Sequence, residues 1–474
     1  MTTGEQPKSV SRRWRIILIL VSIVLMVLTL WIGADFAAEQ QLAAQIARIR
    51  AAGEPVTEAD LATNPPVPDE DNAALFYQRL KVLKIDIDWR LLDNSLFDPD
   101  FRRAHRADVL KIMEDNKETL DLLRQARSRS RCDFKVGLDE LRYGPVKTQT
   151  KLLCLAAVHA HDSGDDAAAI EYLLDALALG RNLGASQGLV IAYLRVATDA
   201  LALTALEEVL PTVKIGDSVG AARPEQLQSL QELLLDGEFA GQLRRSLLAE
   251  RVWLLDFTLK ATRERSLEFS GDSGTIRKMQ KYLLPRLFWK RDVRLILEDY
   301  TQAITALGGA DCAAIEAAWP KPRGITVLSS WCHPLYIGAG VMSARLSQIH
   351  VTSLALRRMA GAAVAMRRYE VAKGRRPEKL EDLVPEFLKE VPKDPWSGAG
   401  RMISWTKAAP ARLYCVGLNG SDDGGAFTEQ GTGVDSPDQV FFLDADRPFA
   451  KATPPPDPAS APFGDPLLGG EMGK

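Results

Sequence analysis

Cysteine and histidine are both scarce, with five of each in a chain of 474 residues. Cys132, Cys154, Cys312, Cys332 and Cys415 are widely scattered, with no C-x-x-C pair and no zinc-ligand spacing. Their odd number argues against a fully paired disulfide framework, although an exported location would still allow one or two bridges. Among His105, His159, His161, His333 and His350, only His159 and His161 are close neighbours. Two residues apart on a helix they point to different sides, so they do not make a metal pair. Excess positive charge is missing too: the formal net charge is −3, which gives no basic footprint for nucleic acid. No G-x-S-x-G, H-E-x-x-H, Walker A or dinucleotide-binding glycine pattern stands in a workable context. The carboxylate clusters at 69–72 and 162–166 fall at expected helix starts, where acids favour the dipole and cap the backbone. No catalytic residue is assigned, and an enzyme is the less favoured reading.

What the chain does have is a long apolar run near its start. Ile16 to Ala34 are nineteen residues without a charge, and about 20 helical residues cross a hydrocarbon core of roughly 30 Å. Trp14 and Trp31 mark its two ends, where indoles favour the interface. Lys8, Arg12, Arg13 and Arg15 precede the run, whereas the first basic residues after it are Arg48 and Arg50. This asymmetry predicts a cytoplasmic basic stub (1–15), a single transmembrane anchor (16–34) and an extracytoplasmic remainder, as in a bacterial inner-membrane protein. The competing reading is a cleaved signal peptide. Its apolar core would be unusually long, and "GADFAAEQ" offers no clean small-x-small cleavage site.

Residues 35–52 read as a continuation of the helix. The stretch 35–71 thus combines helix with a proline-rich linker, since "NPPVPDEDN" stops any helix. Asp71 or Asn72 is placed to cap the helix that follows. From 72 to 324 the apolar spacing is helical and strand-like alternation is scarce. Within it, 151–184 resembles one tetratricopeptide-type helical hairpin. Gly164 suits a left-handed C-terminal position and Asp165 caps the second helix, while Ala157, Ala169 and Ala176 take the small positions. Ser186 is expected to cap a third helix that Pro211 terminates. No second copy recurs at a fixed period. Residues 325–344 carry no formal charge, but their serines, glycines and proline favour a buried helix or packed loop over a second span. The tail, 448–474, reads as disordered.

The C-terminal part, 325–447, begins with a long helix at about 343–373. Leu346, Ile349, Leu356, Met359, Ala363 and Met366 form its apolar stripe. Arg357, Arg358, Arg367 and Arg368 form a basic face, read as solvated rather than as a contact for an acidic partner. Then come "RRYEVAKGRRPEKLEDLVPEFLKEVPKDPWSGAG", short strands, and "YCVGLNGSDDGG". The pieces Tyr369, Gly374, Pro377, Leu380, Leu383, Pro385, Pro392, Asp394, Pro395, Trp396, Gly417, Asn419, Gly420, Gly424 and Gly425 resemble, in order, the globular part of type II secretion major pseudopilins. The resemblance covers about 100 of the 474 residues. A processed Gly-Phe-Thr-Leu-x-Glu type signature is absent, and the anchor lies about 310 residues before the long helix. Assembly into a fibre by that route is therefore disfavoured. The whole layout is also similar to a class of bacterial, planctomycete-like envelope proteins.

In pseudopilins the equivalent glycine- and aspartate-rich loop binds calcium. Carried over residue by residue, the resemblance makes Asn419, Asp422, Asp423, Asp435 and Asp438 the candidate calcium ligands. They are hard oxygens of the kind that ion prefers, without the spacing of an EF-hand. The alternative for the same residues is an Asn-Gly hairpin turn with solvated aspartates. The expected fold is mainly α, with a transmembrane helix, a helical-hairpin domain and a small α+β pseudopilin-like end. The expected function is structural or interaction-type, with a protein partner in the envelope and no nucleic acid. A membrane-anchored hydrolase and a secretion-system accessory component are the alternatives.

Overall fold

The computed structural model describes residues 12–62, 65–80, 88–134, 144–184, 188–264, 286–308, 312–321, 345–398, 400–428 and 436–446. The segment 325–344, the tail from 448, Ser186 and Asp435 lie outside the described residues. The chain is mainly α-helical, with one small antiparallel sheet. The described residues group into two units. One is drawn from 1–61, 247–305 and 319–343; the other from 62–246, 306–318 and 344–474.

In the first unit, helix α1 (Arg12–Ala51) runs unbroken for 40 residues, about 60 Å at 1.5 Å per residue. From Trp14 to Ile32 its large apolar side chains are exposed, and this stretch is long and apolar enough to cross a membrane. Beyond Ala34 the same helix changes character. Leu42 and Ile49 are buried, and Lys290 of the helix Arg286–Ala306 binds Asp35 at 2.9 Å and Glu39 at 2.7 Å. The buried Arg251 likewise holds Glu54 at 2.7 Å and the Pro55 carbonyl at 3.3 Å. Short helix α2 (Glu58–Leu61) follows, with the Asp60 carboxylate accepting the Val56 and Thr57 N–H groups.

The second unit opens with α3 (Ala74–Leu80), α4 (Trp89–Phe97), α5 (Pro99–Ala104), α6 (Arg106–Asp115) and α7 (Lys117–Arg127). Asn72, not Asp71, organises the entry to α3. Its Oδ1 accepts the Ala74 and Asp133 N–H groups, and its amide donates to the Asp133 carbonyl. Helices α8 (Gly144–Asp162) and α9 (Asp166–Leu183) form the hairpin read from the sequence. Gly164 takes φ 82° at the turn, Asp165 Oδ1 accepts the Ala168 N–H, and Ala157, Ala169 and Ala176 are fully buried where the helices meet. Helix α10 (Leu189–Val209) ends before Pro211 and packs on both. It is long and apolar enough to pass for a second span, but half of its apolar window is buried. It also carries the buried pair Arg195 and Asp199, which marks it as a core helix.

Helix α11 (Pro224–Leu234) precedes α12 (Glu238–Glu264), whose residues to Ser246 belong to this unit and the rest to the other. With Arg286–Ala306 as α13 and Cys312–Ala318 as α14, the long C-terminal helix is α15 (Arg345–Lys373). It packs on α10, α11, α14 and the sheet. Its middle is buried all round rather than along one stripe: every residue from Met359 to Met366 is buried. The run "AGAAVA" allows this, because small side chains let neighbours close in from several directions. A methyl built on Gly361 would lie 2.6 Å from the Leu235 side chain.

The expected solvated basic face is corrected by the same packing. Arg357 is 1% exposed, Arg358 donates to the Lys393 carbonyl at 2.8 Å, Arg367 to the Val213 carbonyl at 2.8 Å, and Arg368 to Gln231 Oε1 at 2.8 Å. These arginines tie α15 to its neighbours. Long side chains bury their stems and bring a donor to carbonyls that would otherwise go unmatched.

The sheet has order β1-β2-β3, from β1 (Ser404–Thr406), β2 (Arg412–Val416) and β3 (Asp438–Phe442). In β2, Leu413 and Cys415 face the core while Arg412 and Tyr414 are half-buried, the period-2 alternation of a one-sided strand. Leu413 pairs with Phe441 across the ladder and both are fully buried, each contributing roughly 1.5–3 kcal/mol.

Candidate functional site

The two C-terminal motifs are joined by one carboxylate. Asp394, in "KDPW", is 2% exposed. Its Oδ1 accepts the Trp396 N–H and its Oδ2 the Val416 N–H, both at 2.9 Å. Its own N–H donates to the Arg401 carbonyl at 2.8 Å. The "DPW" turn is thereby fastened to the end of β2, where the glycine-rich loop begins. Burial pushes the Asp394 carboxyl up, against the two N–H bonds, which favour its charged form.

The loop leaves β2 through Gly417. A methyl there would meet the Pro437 carbonyl oxygen at 2.1 Å and that of Ser436 at 2.5 Å, so only glycine fits so close to the returning chain. Asn419 Oδ1 accepts the Ser421 N–H at 3.0 Å, and Asp422 Oδ1 the Gly424 N–H at 3.0 Å. Both are Asx turns, which explains the choice of Asn and Asp here. The Asn419 amide donates to Asp423 Oδ2 at 2.7 Å. Asp422 Oδ2 pairs with Arg401 at 2.6 Å, and that hydrogen bond holds its carboxyl below the usual range.

Asp438 is fully buried at the first position of β3. Its Oδ2 accepts the Gly425 N–H at 2.7 Å, while its Oδ1 is buried without a hydrogen-bond partner. Burial raises its pKa, with repulsion from Asp423 and Asp422 adding to the rise and N–H bonds from Gly425 and Asp423 opposing it. Four of the five candidate ligands are thus described, and Asn419 and Asp423 are in direct contact. Three carboxylates influence one another at this end, and Arg401 answers one of them. An orphaned buried oxygen with surplus negative charge fits a cation. Among the described residues, however, no three His, Cys, Asp or Glu side chains come together as a metal-binding group.

The helical part of the second unit holds a groove of about 560 Å³ between α7, α9 and α11. Arg127, Arg181 and Arg223 line it together with Glu171, Glu225, Glu232 and Asp236. Burial pushes the Glu171 carboxyl up, but hydrogen bonds from Gln226 (2.7 Å) and Arg127 outweigh it and keep it below the ordinary range. A carboxylate held ionised by a guanidinium is a poor general acid at neutral pH. His161 Nδ1 meets Asp166 Oδ1 at 2.5 Å and its Nε2 meets Thr212 at 2.9 Å, an interhelical tether between α8 and the start of α9.

A buried group around Arg195, Asp199 and Arg357 escaped the sequence reading. The signal available was an Arg and an Asp four residues apart inside an otherwise apolar helix, a pair that lipid or core would reject unless matched. Comparison with protein-family models, with curated proteins and with solved structures found no match to this chain.

Proposed function

We propose that the chain is a single-pass protein of the bacterial cell envelope, with a cytoplasmic N-terminus and its folded bulk outside the inner membrane. Its role is structural or interaction-type. The observation that carries this reading is α1, one helix whose first half is apolar and exposed and whose second half is buried and ion-paired. Such a helix ties a folded body to a bilayer without a flexible joint. The charge asymmetry of Lys8, Arg12, Arg13 and Arg15 over Arg48 and Arg50 supports the orientation.

In this reading the groove between α7, α9 and α11 is the docking region for an envelope protein. Its interleaved arginines and carboxylates suit a partner of mixed charge. A photo-crosslinking residue at Ser229, in the groove, should join the full-length protein to one discrete envelope protein in intact membranes. The same residue at exposed Glu114 should not. Equal, diffuse labelling from both positions would count against docking.

The C-terminal end is read as a pseudopilin-like module that calcium steadies. Asn419, Asp422, Asp423 and Asp438 would hold the ion with backbone carbonyls, and Asp435 is the fifth candidate by sequence. The ion would supply positive charge to Asp438 and Asp423, in a site of the weak extracellular class, about 0.1–1 mM. The full chain in detergent should melt higher in millimolar calcium than in chelator. Identical melting temperatures, with Asp438→Asn equally indifferent to calcium, would remove the metal from this account.

A further inference from the structure

The groove between α7, α9 and α11 has a direction. At one end Gln226, in the first turn of α11, reaches the Ala167 carbonyl at 3.2 Å and Glu171 Oε1 at 2.7 Å. At the other end Arg357 bonds Asp199 at 2.9 Å and donates to the Leu233 carbonyl. A methyl built on Gly180 would lie 2.9 Å from Asp199 Oδ1. Gly180 of α9 and Leu233 of α11 therefore share that end, and the two helices run side by side in the same direction. Leu174, Ala178 and Leu233 form the apolar floor between them.

Some of the groove's charges are already answered. Glu171 takes Arg127 and Gln226, and Arg127 also holds Asp175 at 2.9 Å. Four others are left over. Arg181 is in the last turn of α9, Arg223 is the N-cap of α11, and Glu225 and Glu232 are exposed on α11. Among the described residues none of these four makes an ion pair. They divide by end: Arg223 and Glu225 beside Glu171, Arg181 and Glu232 beside Leu233. Ser229, small and exposed, lies between the two glutamates along α11. The exposed side of α11 is thus a ridge with an acid toward each end, set beside a groove with an arginine toward each end.

We infer that the groove receives a second copy of this chain, about a two-fold axis near Ser229, resting on the reading of the groove as a docking region. A two-fold interface uses one patch twice, so the patch must be complementary to itself. Laid antiparallel, the α11 ridge of one protomer enters its partner's groove and the reverse holds too. Glu225 then faces the partner's Arg181, Glu232 faces the partner's Arg223, and the symmetry repeats both pairs. Every charge left over in one protomer meets its opposite, which fixes the register and rejects the parallel arrangement. Copies tethered to one bilayer by α1 would meet at a raised effective concentration, so a modest interface suffices.

The test uses the full chain in intact membranes, co-expressed as two differently tagged copies with the photo-crosslinking residue at Ser229. Irradiation should give a product of twice the chain mass that carries both tags, and the same residue at Glu114 should not. Arg181→Glu alone and Glu225→Arg alone should each lower its yield by about fivefold or more, because like charges then face each other. The two together should restore it, with the pair rebuilt in reverse across the axis. Melting temperatures in detergent confirm that the variants fold; if Arg181→Glu does not, Glu232→Arg with its partner change Arg223→Glu decides in the same way. A Ser229 product with a different protein removes the second copy and leaves the groove as a docking region. Equal, diffuse labelling from Ser229 and Glu114 removes both. A two-tag product whose yield ignores the single changes, or is not restored by the double change, overturns the antiparallel pairing.

Discussion

Replacing Asp394 with alanine isolates the bond between the "DPW" turn and the sheet. The carboxylate accepts two backbone N–H groups at 2.9 Å, from Trp396 and Val416. Val416 and Trp396 are themselves buried, so water cannot take over as acceptor without opening the structure. Each orphaned N–H costs about 1–3 kcal/mol, or about 2–6 kcal/mol for the pair. Part of that is returned, because the variant no longer buries a carboxyl whose pKa is raised by desolvation. The expected loss is therefore about 2–3 kcal/mol. Asp394→Asn keeps one acceptor oxygen and turns an amide toward the other N–H, so it should lose roughly half as much. Urea unfolding of the full chain in detergent, followed by tryptophan fluorescence, measures both through the shift in midpoint at constant slope. A loss below about 0.5 kcal/mol for Asp394→Ala, the range of an ordinary surface change, would refute the linking role.

Gly417→Ala should cost about 1–3 kcal/mol as an overpacked position, because the Pro437 and Ser436 carbonyls occupy the space of its methyl; wild-type stability in the same urea assay would sink that reading. His350 sets a pH dependence whose sign is fixed. Burial holds its folded pKa at about 4, against about 6.5 unfolded, so the unfolded chain binds the extra proton in between. Its contribution is present above about pH 6.5 and is lost as pH falls toward 4, by at most about 1.4 kcal/mol per pH unit. His350→Gln should flatten the acid limb of a stability-against-pH curve, and an unchanged slope would exclude the assignment.

The features legible in the sequence are those whose cause is local. Gly164 and Asp165 announce the α8–α9 turn because a left-handed residue and a cap act within a few positions. The long apolar start of α1 follows from its length and lack of charge alone. What stayed hidden depends on partners far along the chain. Arg357 looked like one of four surface arginines, because its acceptor, Asp199, is 158 residues away. The all-round burial of α15 was hidden for a related reason. A periodicity search looks for one apolar stripe, and the Ala-Gly run at 360–365 has no strong face to find. At the candidate calcium site the residue types were visible. That Asp422 is engaged by Arg401 while Asp438 is buried with an unmatched oxygen depends on the turn of the strands.

The unbroken course of α1 fixes rotation as well as distance. Each residue of an α-helix turns the next by about 100°, so the sides of 16–34 keep a set angle to Leu42 and Ile49. Whatever apolar phase receives the first half, the face it sees is chosen by how the second half is packed. A one-residue insertion after Ala34 would rotate the exposed segment by about 100° about its own axis while moving it only about 1.5 Å. α1 therefore works as a keyed shaft: any helix lying beside its exposed segment would meet a defined edge, and deletions there should be sensed by phase before they are sensed by length.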